Sequence, residues 1–149
     1  MATRFRFRLQ PLLKLRKSLE EAAQRHLARR LAERQEALVH LEALQQAYAE
    51  ALEGRRARPG EVLDLQHWRS TERFLVVLER RMIDAAAELR AADQRVAEAR
   101  QALTRAHQAH LTLLRLKERR QEQHDFAQLL EELRAVDEMA VLRHRFNTR

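Results

Sequence analysis

From Leu75 onward, apolar residues recur every seven positions as Leu75, Met82, Leu89, Val96 and Leu103. Three residues further on in each repeat stand Leu78, Ala85, Ala92, Ala99 and Ala106, with Arg, Glu, Asp and Gln filling the space between. A 3.5-residue period keeps one narrow stripe facing one partner, so this pattern predicts a long helix lying against another helix. The alanine row lets the partner backbone approach closely. An earlier stretch, from about Leu9 to Leu52, carries its own stripe: Leu27, Leu31, Arg34, Leu38, Leu41, Gln45, Tyr48 and Leu52, spaced alternately by four and three. The turn-like segment GRRARPG at 54–60 separates the two. A connection this short makes the helices antiparallel neighbours. The fold predicted is all-α, a long antiparallel two-helix coiled-coil hairpin with an overhanging C-terminal helical segment. Helix one covers about 5–53, the turn 54–60 and helix two about 61–145, in a single domain over 1–149. With the turn as centre, Tyr48 is expected near Trp68, Leu41 near Leu75, Leu27 near Leu89 and Leu9 near Ala106. At ~1.5 Å per residue, such a hairpin is roughly 75 Å long.

Two groups of apolar residues fall outside this seam. In Phe74-Leu75-Val76-Val77-Leu78, five consecutive apolar residues cover more than one helical turn, but only Leu75 and Leu78 lie on the stripe. Phe74 flanks it, and Val76 and Val77 point away, which predicts an exposed apolar patch of the kind that marks partner sites. Beyond Leu113 the seam positions become Lys117, Arg120 and His124, and pairing with helix one is expected to end there. A second stripe then begins with Phe126, Leu129, Leu130, Leu133, Val136 and Ala140. It needs a partner that the hairpin does not supply. It is read as a docking helix for another protein, with self-association or folding back as the alternatives.

Composition supports the helical reading: 149 residues contain two glycines, two prolines and 5% aromatics, and Ala, Leu, Glu, Arg and Gln are good helix formers. There is no cysteine, which removes disulfides and thiolate metal sites and fits a reducing compartment. No apolar run approaches the ~20 residues of a membrane span, and the basic, amphipathic start lacks the features of a signal peptide. The net charge of +7 is unevenly placed, because residues 1–30 hold nine Arg or Lys against two Glu. A basic end can meet nucleic acid, anionic lipid or an acidic protein surface. No constellation for catalysis is present, and no Gly-rich loop for a phosphate, so no enzymatic activity, cofactor or small-molecule substrate is expected. His107 and His110 are three apart on one helix face, but no third ligand is evident, and no metal site is assigned. A basic coiled coil could serve nucleic acid. Stacking platforms are missing, however, and the charge sits at the ends rather than along a groove, so nucleic acid is not an expected partner.

The opening FRFRLQPLLKLRKSLEE, the middle LDLQHWRSTERFLVVLERRM after a Pro-Gly turn and the ending DEMAVLRHRF together resemble FliJ, the coiled-coil component of the flagellar type III export apparatus. The resemblance implies an antiparallel coiled coil similar to the central stalk of rotary ATPases. It implies insertion into the hexameric ring of the export ATPase, binding to the cytoplasmic domain of the membrane export gate, and handling of export chaperones. Gate binding in the family falls on a Phe-x3-Leu-x2-small cluster early in helix two. Phe74 and Leu78 match it, with Val77 in the same apolar run, while Arg81 stands where relatives can have a small residue. The resemblance places Arg4, Arg6, Arg8, Lys14, Arg16 and Lys17 against the ATPase ring and leaves Phe126, Leu129 and Leu133 for tail docking. The implied location is cytoplasmic, peripherally held at the inner membrane through the apparatus. An equivalent stalk of a virulence-type secretion system would share these features.

Overall fold

A computed structural model describes residues 3–56 and 60–148. Two helices account for most of them: α1, Gln10–Arg55, and α2, Leu65–Asn147. The chain divides into two compact units, Ala22–Thr104 and Met1–Glu21 with Arg105–Arg149. In each, a stretch of α1 packs antiparallel to a stretch of α2. The expected turn lies partly outside the described residues, since Ala57, Arg58 and Pro59 are not among them.

The start of α2 is fixed by a cap. The Asp64 side chain accepts from the backbone N–H of Gln66 at 3.0 Å and His67 at 3.4 Å, and its carbonyl accepts from Trp68 N–H at 3.0 Å. A short acidic side chain at this position satisfies donors that have no partner inside the helix. Helix two therefore begins at Leu65, later than Glu61. Gly60, with φ of 91°, adopts a left-handed conformation that glycine takes at little steric cost.

Within Ala22–Thr104, the α2 side of the seam is the one its heptads predict. Leu75, Leu78, Ala85, Ala92, Val96 and Ala99 are buried, and Met82, Leu89 and Leu103 are half-buried. The α1 side differs. Its inward positions run Ala23, Leu27, Arg30, Arg34, Ala37, Leu41, Leu44, Tyr48, Ala51 and Arg55, with Leu44 the buried one. Leu27, Arg34, Leu38, Leu41 and Tyr48 are half-buried, as expected. Leu31, Gln45 and Leu52 are exposed, and the residues just before them take the seam. The rotation exchanges Gln45 for Leu44, a polar side chain for an apolar one. A cluster of Leu44, Leu78 and Ala85, joined by Leu41, Tyr48 and Met82, forms the core.

The register also differs from the expected one. Arg55 pairs with Glu72, Arg34 with Asp93, and the Tyr48 hydroxyl donates to Glu79 at 2.9 Å. Tyr48 thus lies level with Glu79 and not with Trp68, and Trp68 instead sits under the Arg55 guanidinium at 5.5 Å. The physical reason is at the connection. Glu72 is level with the end of α1, so the first two turns of α2 have no α1 residue opposite them. Every pair is consequently offset from the arrangement a tight turn would give.

Within Met1–Glu21 and Arg105–Arg149, residues 3–7 are not helical, although helix one was expected from about residue 5. Phe-Arg-Phe-Arg alternates with period two, the repeat of an extended chain. Phe5 and Phe7 are half-buried while Arg4, Arg6 and Arg8 are exposed. Phe5 packs on His124 with ring centres 5.5 Å apart, and Gln128 donates to the Thr3 carbonyl at 2.7 Å. Pairing therefore continues past Leu113, where it was expected to end. Leu114 and Leu116 are half-buried there, and Lys117, Gln121, His124 and Gln128 continue the half-buried face at spacings of four, three and four.

Candidate functional site

Burial on α2 sorts the run at 74–78 by direction. Leu78 is 2% exposed and locked in the seam, whereas Phe74 is 49%, Val76 60% and Val77 45% exposed. Of Phe74, Val77 and Leu78, two present apolar surface and the third anchors the helix behind them. Ile83 is also exposed. A second exposed apolar group, missed by reasoning from heptads, comprises Val62, Leu63 and Leu65 around the start of α2. Its signal in the sequence is the run VLDL, which precedes the heptads and has no seam to fill.

The cationic candidates gather at the other unit. Arg4, Arg6, Arg8 and Lys14 line an open groove of about 1080 Å³ together with Phe5, Phe7, Pro11, Gln10, Lys117 and Gln121. Lys117, on α2, is a cation that sequence order did not associate with the rest. Arg16 and Lys17 are exposed on α1 outside this groove. No acidic residue occupies the first turn of α1, so the positive end of the helix dipole adds to the same field.

Near this groove, the histidine pair meets a carboxylate. Glu20 lies 2.9 Å from His107 Nδ1 and 2.6 Å from His110 Nδ1. An ionised carboxylate only accepts, so both Nδ1 atoms carry the proton. The hydrogen bond from His107 holds the Glu20 carboxyl below its ordinary range; burial opposes this, and His110 adds to it. Elsewhere, the bond to Glu79 raises the Tyr48 hydroxyl pKa, with burial acting in the same direction. Among the described residues, no group of three His, Asp or Glu is arranged to hold a metal ion.

The tail candidates stand on α2 around and beyond Gln128, which bonds the Thr3 carbonyl of the opening segment. Phe126 is 62%, Leu129 51% and Leu133 52% exposed, and every described residue from Leu129 onward is exposed. Among the described residues, no helix is long and apolar enough to cross a membrane.

Two long antiparallel helices packed along a largely apolar seam, with no strand among the described residues, define a helical coiled-coil protein. The chain belongs to the FliJ family: the family described as Flagellar FliJ protein matches residues 5–149. This makes it a component of the flagellar protein export apparatus. No curated protein and no solved structure gives a significant match.

Proposed function

We propose that this chain is the non-enzymatic, stalk-like element of the export apparatus, linking the export ATPase ring to the cytoplasmic domain of the membrane export gate and handling export chaperones. It works in the cytoplasm, held at the inner membrane through the apparatus. Its contacts divide among three surfaces. Phe74 and Val77, with Leu78 behind them, meet the gate. Arg4, Arg6, Arg8, Lys14, Arg16 and Lys17 meet the ATPase ring. Phe126, Leu129 and Leu133 dock a further protein.

The observation that carries this reading is the split within one helical turn. Leu78 is spent on the seam, while Phe74 and Val77 stay free on a helix that packing already holds rigid. A rigid helix presents such anchors at small entropic cost on binding. Phe74→Ala is therefore expected to leave thermal stability near wild type and to abolish capture of the purified gate domain and motility. Leu78→Ala is expected to lose about 2–5 kcal/mol of stability. Normal gate capture by Phe74→Ala would refute the assignment.

A further inference from the structure

Along the unpaired end of α2, the apolar positions other than Leu130 and Val141 are mirrored about the midpoint of residues 129–146. Beyond Gln128 the helix continues to Asn147, roughly 28 Å at ~1.5 Å per residue. Leu129, Leu133, Val136, Met139, Leu142 and Phe146 are all between 51% and 78% exposed. A single helix in water gains little stability from propensity alone and relies on a packed apolar face.

Reversing the segment onto itself sets Leu129 opposite Phe146, Leu133 opposite Leu142 and Val136 opposite Met139. Ala135 then meets Ala140, so the close approach seen in the alanine-lined seam is available again. The charges are opposite at the mirrored ends. Glu131 and Glu132 lie at one end of the segment, and Arg143 and Arg145 at the other. Antiparallel pairing brings Glu132 of each copy beside Arg143 of the other, whereas parallel pairing would stack like on like. Asp137 and Glu138 meet near the two-fold axis. They lie about 100° and 200° round the helix from Val136, so this repulsion falls at the rim and outside the apolar stripe.

We propose that residues 129–146 pair antiparallel with the same segment of a second copy of this chain. The proposal rests on the reading of Phe126, Leu129 and Leu133 as a docking surface and names its occupant. The contact is isologous, each residue meeting its mirror partner, so it closes at two copies and does not propagate.

Sedimentation of the full chain from about 1 to about 100 µM should show a reversible monomer–dimer shift, because association follows mass action. Leu133→Asp combined with Leu142→Asp should abolish the dimer and leave helical circular dichroism near wild type. Glu132 and Arg143 fall within about 40° of Val136, on the apolar stripe itself. Glu132→Arg or Arg143→Glu alone should therefore weaken the dimer at least about tenfold, since each change replaces two enclosed opposite-charge pairs with like charges. The double exchange Glu132→Arg/Arg143→Glu should restore it, a rescue that parallel pairing does not provide. A chain that stays monomeric throughout, a dimer that survives the Asp pair, or an exchange that fails to rescue would each overturn the proposal. If the wild type is monomeric but the Asp pair loses capture of the purified gate domain or of an export chaperone, the docking surface stands and only its self-pairing falls.

Discussion

Glu20 shows how much one carboxylate can organise between two paired helices. It sits on α1, receives hydrogen bonds from two α2 histidines, and has its pKa lowered by them. A depressed carboxyl pKa contributes stability that is present above the ordinary carboxylate value and is lost as pH falls through the lowered folded value. Unfolding midpoints followed from neutral pH into the acid range should therefore drop less steeply for Glu20→Gln than for wild type. Equal slopes would show that the pair of bonds contributes nothing linked to this proton. The His107–His110 spacing was legible in the sequence, but Glu20 was not. It lies far away along the chain, and only the register brings it there.

At the scale of elements, the two helices were unequally readable. The α2 seam stood out because Leu and Ala alternate there with charged residues between. On α1, Leu31 and Leu52 compete with Arg30 and Ala51 for the same face, and in an Ala- and Leu-rich helix both choices satisfy the period. The opening segment was mistaken for helix because its neighbours are strong helix formers, although Phe-Arg-Phe-Arg carried the period of an extended chain. That conformation matters for the cationic groove. Arg4, Arg6 and Arg8 precede α1, so replacing all three with Glu should leave helical circular dichroism unchanged. It should also reduce stimulation of the export ATPase most at low salt, where Coulomb attraction is least screened. Unchanged stimulation under those conditions would remove this segment from the ring contact.

For the molecule as a whole, the class of fold and the family were legible throughout, while the register was not. Heptads repeat, so a helix shifted by whole repeats meets an equivalent partner, and the offset is decided by the Asp64 cap and by pairs such as Arg34–Asp93. Cysteines at 34 and 93 should join within one chain through a short bis-maleimide. Cysteines at 27 and 89 should not, because Leu89 lies about eleven residues, or ~16 Å, from the level of Leu27. Efficient intrachain joining of 27 to 89 would return the register to a tight turn. The exposed patch at Phe74 was visible because it exceeds what a seam can absorb. The loop group at Val62, Leu63 and Leu65 was overlooked because it precedes the heptads.

The alanine row also bears on how such a chain can drift. Ala85, Ala92 and Ala99 are each 3% exposed, and any larger side chain there would force the helices apart. Exposed arginines and glutamates outside the proposed contacts are the freest to change, and many of the leucines can exchange for other apolar residues. Selection on this protein therefore falls hardest on its least reactive side chains. In a lineage of such proteins, the chemically plainest positions should change most slowly, while overall identity erodes until the spacing of small residues is the most durable inherited trace.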